Sequence, residues 1–360
     1  PGGVGKTTVS AAIGLAMAAR GRKVAVLTID PAMRLAESLG IELAGNRPSR
    51  ISHPSLEGGE GELWAMMLDA KATFDDVVAH HAPDPEARDR ILGNRIYQEI
   101  SGALAGSHEY MAMEKLYEIA EGGEFDLLVL DTPPSRNALD FLDAPRKLVQ
   151  FIEGRSLQLF LRPTGLGMKI IGRGSNVVFK LLNRLTGVDL LSDLSEFFGA
   201  MSGMIDGFKE RSARVDELLA DPGTGFVVVS GPGRTPVAEA LFFRRRLRED
   251  GLNFDAAVVN RLHPDPFEGG KPPEADALPK PLRKEALAKR LAASARDLHA
   301  LAERDRAGVE RLRAELEGEL VVMVPELADD VVDGAGLSEV AALLFAEAVD
   351  AVPRGQPDST

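Results

Sequence analysis

Apolar positions along this chain fall into two kinds of run. Short, continuous ones occupy residues 24–29, 63–68, 125–130, 225–230, 254–260 and 320–324, each rich in β-branched or aromatic residues and bounded by Gly, Pro, Asp or Ser. Most do not alternate with polar residues, so they predict strands buried on both faces of a parallel sheet. Between them, apolar residues recur at helical spacing over 8–20, 33–39, 236–250 and 337–349. Strand–helix alternation predicts an α/β fold, a doubly wound, mostly parallel sheet with covering helices.

Two intervals are too long for simple crossovers. The stretch between residues 68 and 125 contains helical patterns at 85–104 and 108–120. The stretch between 130 and 225 contains them at 157–161, 177–185 and 190–219. They predict one α-helical subdomain, inserted at about 72–121 and 140–220 into a domain spanning 1–350. Residues 264–281, dense in Pro, Gly and Asp, read as a flexible loop. A charged helix is expected over 283–317, and residues 353–360 read as a disordered tail. A length of 360 residues sets a prior of about two domains, which the pattern resolves into one large domain with an insertion.

Charge and cysteine narrow the chemistry. The balance of 42 basic against 55 acidic residues, net −13, argues against a general nucleic-acid partner. No run of 18 apolar residues marks a membrane span. The absence of cysteine excludes disulfides, thiolate metal sites and cysteine nucleophiles, and the expected compartment is the cytoplasm. The basic run Arg244, Arg245, Arg246 reads as a solvated helix face.

The densest chemistry stands at the start. Gly2, Gly3, Val4, Gly5, Lys6, Thr7 and Thr8 open an apolar helix. In a GxxxxGK[ST] loop the glycines let backbone N–H groups cradle phosphates at a helix N-terminus. The lysine is a point charge for the β- and γ-phosphates, and the hydroxyl ligates Mg²⁺. Lys6 and Thr7 hold those positions. The motif's first glycine would fall one residue before Pro1, and the strand that feeds such a loop before that. Without that strand the sheet would have a gap beside the phosphate site.

Three further strand ends carry polar residues. The run 24–29 ends in Asp30, Pro31 and Ala32. This reads either as an N-cap with proline at the first helical position, or as a carboxylate at the ligand-binding edge of the sheet, able to orient a water attacking the γ-phosphate. The run 125–130 ends in Asp131, Thr132, Pro133, Pro134 and Ser135. An apolar strand ending in Asp is the Walker B pattern that holds Mg²⁺ directly or through water; a strand-ending turn with Ser135 as the next N-cap is the other reading, and the phosphate loop favours the first. The run 254–259 ends in Asn260 and Arg261. The carboxamide of Asn260 offers a donor and an acceptor together and suits a purine edge, although a plain strand-ending polar residue explains it as well.

Taken in order, these elements resemble the ArsA family of arsenite-pump ATPases, which includes the cytosolic ATPase that targets tail-anchored membrane proteins. That family lies on the signal-recognition/MinD-like branch of P-loop NTPases. Its GKGGVGKTT loop is similar to residues 1–8. Its DPA switch matches Asp30, Pro31 and Ala32, and its DTAPTGHTLR switch resembles residues 131–139. The likeness runs to about residue 349 and is strongest toward actinobacterial-type members.

The resemblance implies ATP and Mg²⁺ as cofactors, with Lys6 on the phosphates, Thr7 and Asp131 on the metal and Asp30 positioning water. It implies that Asn260 reads adenine and that Pro325 closes over the base. It also implies a homodimer, or a heterodimer with a paralogous ATPase, whose ATP cycle moves the helical subdomain. The Met-containing stretch 157–204 would then be a groove for hydrophobic helices of membrane-protein clients, or else ordinary helical core.

Three departures qualify the likeness. Pro1 stands at the family's signature lysine, which reaches the partner's ATP. There are no metalloid-binding or zinc-clamp cysteines, so an arsenite-transporting subunit ranks low. Only one phosphate loop occurs. Arg136, in the second switch, is a candidate substitute cation. The implied function is an Mg²⁺-dependent ATPase, with a low-turnover nucleotide-gated targeting module or heterodimer subunit as the alternative.

Overall fold

A computed structural model describes residues 3–29, 34–39, 45–100, 107–132, 143, 205–267, 270–282, 285–328, 331 and 334–351. Each predicted strand is present: β1 (Lys23–Thr28), β3 (Glu62–Met67), β4 (Leu127–Asp131), β5 (Phe226–Ser230), β6 (Phe254–Leu262) and β7 (Leu320–Pro325). An additional short strand, β2 (Ser49–Ile51), pairs antiparallel with β3. All other pairings are parallel, as the continuous apolar runs require.

The strands form two sheets, ordered β2-β3-β1-β4 and β5-β6-β7. Between β4 and β5 runs a slot of about 530 Å³, lined by Leu128, Leu130, Phe226 and Val229 and reaching Lys6 and Asp131. The residues of β4 other than Asp131, and most of those of β5, are therefore only half-buried despite their apolar sequences.

Helices cover both faces. On one, α1 (Lys6–Ala18), α2 (Arg34–Leu39) and the last helix, α10 (Gly334–Ala351), bury Val24 and Val26 of β1 together with Val258 of β6 and Val324 of β7. One apolar layer thus joins the two sheets. Close approach sets the residue choice in α1: a Cβ on Gly14 would come within 2.4 Å of Val26 Cγ2.

The opposite face is covered in two places. Helices α8 (Arg234–Glu249) and α9 (Glu285–Leu316) bury Ala257 and Val259 of β6 and Val321 of β7. The alternation of Val258 with Ala257 and Val259 between the two layers is the pleat of a strand covered on both sides.

Helices α3 (Ala70–His81), α4 (Pro85–Gly93), α5 (Arg95–Ile100), α6 (Ser107–Gly122) and α7 (Ile205–Ala220) form the remaining layer. Phe74, Val78, Ile91, Tyr97, Met113 and Val215 meet in a single core there. The helical pattern over 85–104 is interrupted: Asn94 separates α4 from α5, and its Oδ1 accepts from Tyr97 N at 3.3 Å as a fresh N-cap. Most of the second insertion, including the Met-containing stretch, lies outside the described residues.

The expected solvated face at Arg244–Arg246 is corrected at its first member. Arg244 is buried, and its Nε and terminal nitrogen fork onto the carboxylate of Glu319, the closer contact being 2.8 Å. A bidentate carboxylate partner makes an interior arginine tolerable, and Glu319 lies too far along the chain for local periodicity to reveal it.

A second interior ion pair joins α6 to α7. Arg211 Nε lies 2.6 Å from Glu114 Oε1, with both side chains nearly excluded from solvent, and Tyr110 donates to Glu114 Oε2 at 2.9 Å. Burial raises the Glu114 pKa above its ordinary 4.5, while the Arg211 charge pulls it back down. Replacing Arg211 with glutamine strands that carboxylate and is expected to cost about 3 kcal/mol. The loss pushes the folded-state pKa higher, so the native state holds a proton that the unfolded state has released. The penalty should therefore be small near and below pH 4.5 and grow as pH rises through the raised pKa. Urea unfolding of wild type and variant at a series of pH values checks this; a pH-independent difference would refute it.

Candidate functional site

The loop of residues 3–5 is built on glycine because its backbone demands it. Gly3 has φ 84° and Gly5 φ 87°, the left-handed region that costs a side-chain-bearing residue about 1–2 kcal/mol. Gly5 caps α1 without any side-chain cap, and its carbonyl accepts from Val9 N at 2.9 Å. The first-turn amides of α1 lie at the positive end of the helix, and the N-cap glycine has no side chain to cap them, an arrangement suited to an anion. Lys6, Thr7 and Thr8 are half-buried there.

β1 and β4 run side by side, with Thr28 in register with Asp131. That pairing brings the strand end under the helix start. Asp131 Oδ2 accepts from Thr7 Oγ1 at 2.7 Å and from Thr28 Oγ1 at 3.0 Å. Asp131 is 1% exposed, so the carboxylate is held by hydroxyls in a largely dry site. A hydroxyl and a carboxylate oxygen this close form a hard-oxygen pair, the donor type Mg²⁺ takes.

The other strand end arrives from the second sheet. Asn260 Nδ2 donates to Val4 O at 2.9 Å, and Arg261 donates through a terminal guanidinium nitrogen to Gly3 O at 2.9 Å. The fit is tight: a Cβ on Gly5 would lie 2.2 Å from Asn260 Nδ2. Pro325 ends β7 in register with Leu262, and Glu326 N donates to Leu262 O at 2.8 Å.

The structure thus gathers Gly3, Val4, Gly5, Lys6, Thr7, Thr8, Asp131 and Asn260 at one edge, with Pro325 ending the neighbouring strand. Gly2, Asp30 and Arg136 lie outside the described residues. Arg261 is the residue that sequence reasoning did not assign; its position depends on a local irregularity of β6 that no periodicity signals. Among the described residues, no group of three or more His, Asp or Glu could hold a metal, and no helix is long and apolar enough to cross a membrane.

The sequence profile of the family described as anion-transporting ATPase matches residues 1–273. The chain belongs to that family. A putative arsenical pump-driving ATPase 1 of Aquifex aeolicus is 26% identical over 280 residues, 73% of this chain and 62% of that protein. The ATPase GET3B of Arabidopsis thaliana is 26% identical over 282 residues, with the same two coverages of 73% and 62%. An uncharacterized Streptomyces coelicolor protein is 28% identical over 265 residues, 74% of this chain and 61% of its own length. The chain therefore spans about six tenths of the length of these relatives.

Proposed function

We propose that this member of the anion-transporting ATPase family binds Mg²⁺–ATP and hydrolyses it to ADP and phosphate. The observation that carries the reading is the 2.7 Å contact between Thr7 Oγ1, in the first turn of α1, and the buried Asp131 carboxylate. It brings together a hydroxyl, a carboxylate and a helix start whose N-cap is glycine, the parts a phosphate-plus-metal site uses.

Thr7 and Asp131 would hold Mg²⁺, which when bound supplies charge neutralisation on the β- and γ-phosphate oxygens. Lys6 adds a positive charge on the same oxygens, and the loop amides provide directed donors. Asp30 orients and deprotonates the attacking water. Attack at the γ-phosphorus breaks its bond to the bridging oxygen and releases ADP. Asn260 uses its carboxamide oxygen as an acceptor for the adenine amine, and Pro325 closes over the base. The cycle runs in a cytoplasmic dimer and moves the helices inserted between β3 and β5, which bind an apolar helical client.

A second reading, a nucleotide-gated module with little turnover of its own, is favoured by Pro1 at the position of the family's lysine, since proline has neither charge nor N–H to offer a partner's ATP.

The test is binding of a fluorescent ATP analogue and release of phosphate by the full chain, with Lys6→Ala prepared in parallel. Loss of the lysine contact should weaken binding by about tenfold or more and abolish turnover. Equal phosphate release by the two proteins would sink the ATPase reading. Binding that depends on Lys6, with no phosphate release from either protein, would select the second reading.

A further inference from the structure

The register of β6 against β7 breaks at one residue. Asn260 pairs with Val324 and Leu262 with Pro325, leaving Arg261 as the extra residue of a bulge, with φ 62°. In an unbroken strand, Arg261 would project on the face opposite Asn260. With the bulge, both side chains end on the same loop, on consecutive carbonyls: Arg261 on Gly3 O and Asn260 on Val4 O, each at 2.9 Å. An arginine in the left-handed region is a strained choice, and such strain concentrates where it serves a site.

The consequence follows from peptide geometry. In a trans peptide the C=O and the N–H of one unit point in opposite directions across a plane. Holding Gly3 O fixes the direction of the Val4 N–H, and holding Val4 O fixes that of the Gly5 N–H. Both amides are then aimed to the side of the loop away from the end of β6. Consecutive amides on one side of a loop form a concavity for an anion. The guanidinium on Gly3 O also draws electron density from that peptide and strengthens its N–H as a donor.

We infer that Arg261, together with Asn260, is a positioning residue for phosphate binding: it holds the outer carbonyls of the loop so that the Val4 and Gly5 amides stand preorganised for the ATP phosphates. The inference rests on the reading of this loop as an ATP site. Arg261 acts through the loop backbone and needs no contact with the nucleotide. Preorganisation lowers the ordering cost of binding, so its loss is read in affinity for the phosphate chain.

The experiment measures affinity of the full chain for a fluorescent ATP analogue, and displacement of that analogue by inorganic pyrophosphate, for wild type, Lys6→Ala, Arg261→Ala and Arg261→Lys. Thermal unfolding without ligand and hydrogen exchange at the Val4 and Gly5 amides accompany it. Arg261→Ala is expected to weaken ATP and pyrophosphate alike, by about tenfold, with faster exchange at the two amides and little change in ligand-free melting. Arg261→Lys, which keeps a charged donor, should recover most of the affinity.

Unchanged affinity in Arg261→Ala overturns the inference. So does a loss confined to ATP, which would place Arg261 on the nucleoside, or a loss accompanied by a large drop in ligand-free melting and no rescue by lysine. Wild type and Lys6→Ala binding ATP equally poorly overturns the ATP-site reading itself, and the inference with it.

Discussion

Replacing Asp131 with asparagine should leave metal-free ATP binding nearly intact and remove the gain that Mg²⁺ brings, with turnover falling on the order of a thousandfold. The carboxylate is 1% exposed and is touched by two hydroxyls, Thr7 Oγ1 and Thr28 Oγ1. Asparagine has the same shape, and both hydroxyls can rotate to accept from its amide as readily as they donated to the acid, so β1 and β4 should keep their register. What asparagine cannot supply is charge. A dry site magnifies the difference, because Coulomb energy scales inversely with the local dielectric. Loss of one anionic metal partner is therefore expected to cost roughly 4 kcal/mol of transition-state stabilisation, which corresponds to that thousandfold. The check is analogue affinity in Mg²⁺ and in EDTA, with phosphate release and ligand-free melting on the same preparations. An asparagine variant that gains as much from Mg²⁺ as wild type would remove Asp131 from the metal's surroundings.

How far the sequence foretold this site depends on which contacts are local. Lys6, Thr7 and Asp131 were legible because a helix start and an apolar strand ending in Asp are written in consecutive residues. Parallel pairing of β1 with β4 then brings Thr7 to Asp131, 124 residues apart, with little left to chance. Arg261 was illegible for the opposite reason. Its side chain reaches Gly3, 258 residues away, only because a bulge turns one residue of an otherwise regular strand, and nothing in the apolar pattern of β6 marks that bulge. Asn260 stands between these cases. The residue was visible as a strand end, but its hydrogen bond to Val4 O comes from the meeting of two sheets.

The fold divides along the same line. Six continuous apolar runs appear as strands because they are short, β-branched and bounded by turn residues, although β4 and most of β5 are only half-buried along the slot between them. β2 escaped notice because Ser49–Ile51 offers three residues, two of them polar, at a sheet edge where patterning is weak. The helix break at Asn94 was hidden because apolar spacing carries across it, and only the cap bond to Tyr97 N shows that a new helix begins. Arg244 reads as surface because a triple-arginine run on a helix normally is, while its partner Glu319 lies 75 residues on.

Substituting alanine for Gly5 should weaken nucleotide binding by about a hundredfold. Two costs add. The first is conformational: φ is 87° at this position, which costs a residue with a Cβ about 1–2 kcal/mol. The second is steric, since the new Cβ would stand 2.2 Å from Asn260 Nδ2. Either the loop or Asn260 must retreat, and the bond to Val4 O, worth about 1 kcal/mol, goes with it. Together these approach 3 kcal/mol, or about two decades of affinity. Gly3 separates the two terms, because it shares the left-handed φ, 84°, but an added Cβ there meets nothing within 4 Å. Gly3→Ala should therefore lose only about tenfold, the conformational part alone. Asn260→Ala in the Gly5→Ala background removes the clash and leaves the strain, so the double variant should bind more tightly than the sum of the two single losses allows. Titration of wild type, the three single variants and the double variant with the fluorescent ATP analogue decides the matter: strict additivity, or equal losses at Gly3 and Gly5, would mean that the approach of Asn260 to the loop plays no part in binding.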